Sequence, residues 1–410
     1  MSSTRTTFEE TPTPFIIRAV STVTSALEGM GVSLIDIDFA KMKAKAEEKT
    51  GLSDWHDQAF LRDLETFVDY AKRNPDSAFI SKTALRTDIM RHLTNYLKLQ
   101  DAKKRYADLV TQPLKNPIII LGLPRTGTTL IQRLLSQDPT SHGPALWELF
   151  NPVRIGADNE EENVKAAASF VKTVRGTSLP LWSIHTMEAN EADECAFLLS
   201  QSIGNVPLHG GMTYFDWYMK RSALPDYQLH KQYLQAMHYK KTPRRWVLKS
   251  PLHMAKLDDL LTVYPDAHVI WCHRGLSHVI ASWVSYMALS KKIASRGVDS
   301  KQVARDWMRI WDVSLKEAQK ARDSRFPEQF FDLNYDELVS DPILTVRKIY
   351  TYFGMTLTIQ AEAKMRDWLE RDKLKTKPGH RYNLESFGLT PTDLDTTFAD
   401  YIKKYNVSVD

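Results

Sequence analysis

The chain has 410 residues, 43% apolar and 25% charged, the proportions of a globular protein long enough for a sizeable α/β core. A net charge of +4 suits an anionic ligand but falls far short of the dense basic stripe of a nucleic-acid binder. The two cysteines, Cys195 and Cys272, lie far apart inside apolar runs, which points to a reducing compartment rather than a disulfide framework.

The amino terminus, MSSTRTTFEETPTPF, is polar and proline-broken and lacks the basic-then-apolar layout of a secretory signal. With no run of about 18 uncharged apolar residues for a membrane span, a soluble cytoplasmic protein without a membrane partner is expected. Two helical patterns follow. Phe60, Leu61, Leu64, Phe67, Val68 and Ala71 carry the first; Leu85, Ile89, Leu93, Tyr96 and Leu97 carry the second, with Pro75 between them. They read as packing elements, as a cap on a larger core or a subunit contact, or else as a lid over a pocket.

From Asn116 to Gln137, NPIIILGLPRTGTTLIQRLLSQ, an apolar strand (Ile118, Ile119, Ile120, Leu121) runs through a glycine-bounded turn into a helix. Leu130, Ile131, Leu134 and Leu135 give that helix its spacing. The free backbone N–H groups of such a turn, backed by the helix dipole, suit an anionic oxygen cluster. The turn nearly fits G-x-x-x-x-G-K-[ST], with Gly122, Gly127 and Thr129 in place, but Thr128 stands where the lysine should be. The loop's cation is Arg125. A kinase or ATPase would lose its main charge on the β- and γ-phosphates, so the loop reads as built for a nucleotide whose reacting group is not a γ-phosphate.

Residues 143–241 are rich in aromatic side chains. Each alone reads as core; together they suit an apolar acceptor pocket, with Trp182 and Tyr218 as candidates. Within this region HTMEANEADECAFLL sets an acidic cluster against an apolar helix. Burial there would raise the carboxyl of Glu194 into the range of a general base, while Glu191 and Asp193 fit a solvated helix N-terminus. RWVL at 245–248 is a further strand, followed by Lys249 and by His253, whose unperturbed pKa suits proton acceptance near neutrality.

HVIWC at 268–272 reads as another buried strand, and Val279, Ile280, Trp283 and Tyr286 mark a helix after it. Arg274 stands at that strand's carboxyl end, where open α/β sheets bind ligands, placed for a bidentate phosphate contact; Ser282, two turns on, adds a hydroxyl. Next comes a long helix with Val303, Trp307, Ile310, Trp311 and Leu315 on one face. EQFFDL at 328–333 is a strand, and YDELVSDP leads into a helix from about Ile343, with Asp336 and Asp341 as caps. The stretch KTKPGHRYNLESFGL, 375–389, is basic and aromatic, a loop over an anion or a solvated surface loop.

Taken together these segments resemble the PAPS-dependent sulfotransferases of the P-loop fold, in their bacterial small-molecule branch; PAPS is 3′-phosphoadenosine 5′-phosphosulfate. Pro124, Arg125, Thr126, Gly127, Thr128 and Thr129 match the P-[KR]-[ST]-G-T-T loop that grips the 5′-phosphosulfate, and Arg274 with Ser282 is similar to the 3′-phosphate motif. The resemblance extends to a strand ending in Lys with a nearby His, here Lys249 and His253, the His four residues on rather than two. It also covers an acidic segment near the acceptor (Glu194), the YxxLVxDP pattern, and a carboxyl-terminal His-x-Tyr, His380 and Tyr382, beside Lys377 and Arg381.

The expected fold is α/β: a mostly parallel P-loop-type sheet of about four or five strands with helices on both faces and ligand across the strands' carboxyl ends. Residues 1–112 are expected as a helical extension and 113–410 as the sulfotransferase domain. The resemblance implies in-line transfer of a sulfuryl group from PAPS to a hydroxyl, less readily an amine, of a small organic acceptor. His253 or Glu194 would be the base, Arg125 and Lys249 would stabilise the leaving group, and no metal would be required. Arg125, Thr126, Gly127, Thr128, Thr129, Arg274, Ser282, Arg381 and Tyr382 would bind the nucleotide. An atypical P-loop kinase or a non-catalytic nucleotide-binding protein is the alternative, and a homodimer is the base-rate expectation.

Overall fold

The computed structural model describes residues 14–409 except 33, 75–76, 156–158, 204–208, 210, 243, 296 and 374–381. Five strands, β1 (Ile118–Gly122), β2 (Ser141–His142), β3 (Arg245–Lys249), β4 (His268–His273) and β5 (Phe330–Asn334), form one sheet. Their order is β2-β3-β1-β4-β5 and every pairing is parallel. The four apolar runs of the sequence are β1, β3, β4 and β5. The fifth strand, β2, is two residues long, too short to carry a pattern, and pairs Ser141 with Arg245.

Both faces of the sheet are buried, as continuous apolar runs require. Along β1, Ile119 and Leu121 enter one core with Leu248, Val269 and Trp271, while Ile118 and Ile120 enter the other with Val247, Ile270 and Leu333. This period of two is the pleat itself. The second core is closed by the Thr128–Leu135, Pro342–Tyr352 and Ile359–Lys373 helices, through Leu134, Val346 and Met365. On the first lie Leu224–His238, Leu257–Val263, Leu276–Ala294 and Ser300–Asp323.

The two helical patterns near the amino terminus are the Gln58–Lys72 and Phe79–Arg105 helices, and Leu64, Phe67 and Leu93 join the same core as β1. Asn95 ties the second helix down, donating from Nδ2 to the Phe150 carbonyl over 2.9 Å. Of the two expected caps, Asp341 accepts from Leu344 N at the head of its helix, whereas Asn334, not Asp336, caps Tyr335–Ser340. Asp336 lies in the first turn instead, where its charge suits the dipole. No helix among the described residues is long and apolar enough to cross a membrane.

Candidate active site

Four strand ends converge at the carboxyl edge of the sheet. The order puts β1 beside β4 where the chain changes direction across the sheet, the place at which open α/β sheets bind ligands. From β1 the phosphate loop departs through Gly122, at φ +136°, where a Cβ would stand 2.4 Å from the Cys272 carbonyl oxygen of β4. It re-enters helix at Gly127, φ +88°, where a Cβ would stand 2.8 Å from Leu338 Cδ2. Glycine at both ends is therefore what lets the loop lie flat against its neighbours. The first N–H groups of the Thr128–Leu135 helix have no carbonyl in a preceding turn and remain for an anion.

Within the loop the side chains divide. Thr126 is fully buried and donates its hydroxyl to the Leu123 carbonyl over 2.7 Å, so it braces the turn. Thr128 and Thr129 line a cavity of about 580 Å³, together with Arg125, whose guanidinium donates to the Ile184 carbonyl. Arg274, one residue beyond β4, donates to the Arg125 carbonyl over 2.9 Å and stacks on the Tyr335 ring at 3.7 Å. Arg274 thus braces the loop that follows β1. Trp182, Trp283, Tyr286 and Trp368 complete an aromatic wall.

Ser282 lies on the Leu276–Ala294 helix, fully buried, its Oγ without a hydrogen-bond partner among the described residues. It does not reach the cavity wall described above, although the next residue, Trp283, does. Tyr382 bonds His278 Nε2 through its hydroxyl at 2.7 Å. Burial lowers His278 to about 4, with the Arg274 and Arg125 cations adding to the shift. Lys377, His380 and Arg381 lie outside the described residues.

At the end of β3, Lys249 is almost fully buried and its Nζ donates to Glu194 Oε1 over 2.7 Å. Glu194 lines the cavity; Lys249 sits behind it. The backbone fixes this meeting, since Cys195 N donates to the Lys249 carbonyl over 3.0 Å. Asp193 departs from the solvated position expected of it: it is buried, its Oδ1 3.6 Å from His185 Nε2. Burial alone would raise its carboxyl, but the His185 imidazole and the Lys249 and Arg133 cations overcome that and hold it at about 2. His185 itself lines the cavity. Sequence reasoning passed over it, because nothing in its spacing pairs it with Asp193.

His253 is placed differently. It is fully buried on the short Pro251–Lys256 turn, with Nδ1 3.1 Å from the Tyr227 hydroxyl and Nε2 3.0 Å from Cys195 Sγ. Burial holds its pKa well below the usual histidine range. Neighbouring Pro251 is in the cavity wall; His253 is not among the residues that line it. Of the two aromatic candidates, Trp182 is in the wall, whereas Tyr218 lines a separate cavity of about 60 Å³.

Comparison with known proteins agrees with this architecture. Residues 117–358 match the model of the Sulfotransferase family, a span that holds the phosphate loop, Lys249 and Arg274. The sulfotransferase STF9 from Mycobacterium avium superposes with a TM-score of 0.82 at 25% identity, covering 92% of this chain and 99% of that one. STF1 from Mycobacterium tuberculosis gives 0.76 at 28% identity, covering 88% and 98%. The omega-hydroxy-beta-dihydromenaquinone-9 sulfotransferase Stf3 of Mycobacterium bovis is 23% identical over 252 residues, 58% of this chain and 63% of the relative. The chain therefore matches less than two thirds of that relative's length.

Proposed function

Since the chain belongs to the sulfotransferase family, we propose that it moves a sulfuryl group from PAPS to a hydroxyl of a small, largely apolar acceptor. The observation that carries this reading is the convergence of the glycine-bounded loop, Arg274 and Glu194, the last backed by Lys249, on one cavity of about 580 Å³, a volume usual for small-molecule sites.

The residues fit the donor's three charged parts. Loop N–H groups, Thr128, Thr129 and Arg125 would hold the 5′-phosphosulfate. Arg274 would take the 3′-phosphate bidentately, and Ser282, whose Oγ has no hydrogen-bond partner among the described residues, would add a hydroxyl only if its helix turned it toward the ligand. Tyr382, whose hydroxyl bonds His278, would close the nucleotide from the carboxyl-terminal side.

In the transfer, Glu194 would take the proton from the acceptor hydroxyl as the new O–S bond forms; the bond from sulfur to the bridging oxygen breaks and 3′,5′-ADP departs. Arg125 would meet the charge gathering on that oxygen, while Lys249, behind the cavity wall, would hold Glu194 in place. Glu194 is favoured over His253 as base because its carboxylate faces the cavity, while both ring nitrogens of His253 are engaged by Tyr227 and Cys195. The aromatic wall of Trp182, Trp283, Tyr286 and Trp368 suits an apolar acceptor body. A terminal alcohol on an apolar chain, the chemistry in the name of the Mycobacterium bovis relative, fits that description.

The test is turnover: purified protein with PAPS and a panel of hydroxylated quinones, phenols and sterols, with 3′,5′-ADP and sulfated product both quantified by mass spectrometry. Stoichiometric appearance of the two supports the reading. Release of neither with any acceptor, from protein that binds 3′,5′-ADP, would leave a nucleotide-binding protein without transfer.

A further inference from the structure

Behind the Glu194–Lys249 pair, and outside the cavity wall, three soft donors converge from three elements. Cys195 precedes the Ala196–Ile203 helix, His230 lies on Leu224–His238 and His253 on the Pro251–Lys256 turn. One ligand atom from each lies within 4.8 Å of the other two, and all three residues are buried. Each imidazole is pinned at Nδ1 by a tyrosine hydroxyl, His253 by Tyr227 at 3.1 Å and His230 by Tyr264 at 2.7 Å. Nε2 of His253 stands 3.0 Å from Cys195 Sγ, and Nε2 of His230 is buried with no hydrogen-bond partner among the described residues.

An unsatisfied nitrogen in the interior carries an uncompensated desolvation cost, so its persistence calls for a partner that no described residue supplies. Imidazoles anchored through the far nitrogen are also how metal ligands are oriented. We infer that Cys195, His230 and His253 hold one soft, closed-shell transition-metal ion, Zn²⁺ or Cu⁺, as a structural centre. A thiolate with two imidazoles is a donor set for such ions, whereas Mg²⁺ and Ca²⁺ take oxygen. The Lys249 carbonyl oxygen, 3.5 Å from Sγ, offers a further position. On uptake the Cys195 S–H bond breaks, its proton passes to solvent and a sulfur–metal bond forms, so binding weakens as pH falls. The centre ties the segment carrying Glu194 to the turn after β3 and to the Leu224–His238 helix, and it stands whichever nucleotide the cavity takes.

Full-length protein purified without chelator is expected to carry about one zinc or copper ion per chain by elemental mass spectrometry. X-ray absorption at that metal's edge should report sulfur at ~2.3 Å and nitrogen at ~2.0 Å. Cys195→Ala and His230→Gln should each lower the content by about tenfold or more. Because removing a buried ligand can also unfold the chain, wild-type protein stripped by chelator is titrated separately with Zn²⁺ and with Cu⁺. A higher melting temperature with one of them identifies the ion. Metal-free protein whose melting temperature neither ion raises would overturn the centre, and so would undiminished metal in folded Cys195→Ala.

Discussion

Lys249 Nζ and Glu194 Oε1 are 2.7 Å apart, one almost fully buried at the end of β3 and the other facing the cavity. The pair places a carboxylate in the cavity wall and backs it with a cation. Removing one partner of such a pair leaves the other charge uncompensated, so conservative replacements are the informative ones.

Glu194→Gln keeps an oxygen for Lys249 but cannot take a proton. Turnover should fall by roughly 10²- to 10⁴-fold, the usual scale for a lost general base, with 3′,5′-ADP affinity changed less than about threefold. Steady-state kinetics beside calorimetric titration separates the two effects. Turnover within a few-fold of wild type would remove Glu194 from the chemistry.

Arg274→Ala takes away both the proposed 3′-phosphate partner and the hydrogen bond to the Arg125 carbonyl. Affinity for 3′,5′-ADP should fall roughly 10- to 100-fold, the worth of a charge-assisted contact, and the preference over 5′-AMP should shrink with it. Equal losses for both nucleotides, measured by titration, would instead mark Arg274 as a brace for the loop alone.

Gly122→Ala puts a methyl group 2.4 Å from a backbone carbonyl oxygen of β4, at a φ of +136° that residues with a side chain rarely adopt. A loss of roughly 2–4 kcal/mol is expected, read as a lower urea midpoint with unchanged slope. A midpoint equal to wild type would mean that β1 and β4 part more readily than their pairing indicates.

Acid should destabilise the fold early. Burial lowers His92 to about 3, His209 to about 4 and His238 to about 3, against an unfolded value of 6.5. Below that value the unfolded chain binds more protons than the folded one. The stabilisation is complete above about pH 6.5 and is lost as pH falls toward the folded values, each histidine contributing up to ~1.4 kcal/mol per pH unit. Urea midpoints should be level between about pH 8 and 7 and decline steeply by about pH 5.5. A flat profile over that range would contradict the burial of these imidazoles.

Much of the architecture was legible in the sequence because it rests on local pattern. Ile118–Leu121 and His268–Cys272 are apolar without interruption because both of their faces are buried, and the glycines at 122 and 127 announce the turn between strand and helix. What stayed hidden depends on side-chain direction and distant partners. The chemistry of His253 is compatible with a base anywhere in the chain; only the path of the Pro251–Lys256 turn sends it inward toward Cys195 and Tyr227. Asp193 carries the same charge as its acidic neighbours in sequence, yet it is His185, Arg133 and Lys249 that give it a buried place. His185 reaches the cavity through a turn with no periodic signal of its own.

Binding of the donor nucleotide is tested by a thermal-shift titration of the wild-type protein with 3′,5′-ADP, 5′-AMP and ATP with Mg²⁺, each over the same concentration range. A ligand held by the folded state alone raises the melting temperature by mass action. A rise with 3′,5′-ADP that clearly exceeds the rise with 5′-AMP, and little response to ATP with Mg²⁺, is the predicted result. Stabilisation by ATP with Mg²⁺ and none by 3′,5′-ADP would contradict it.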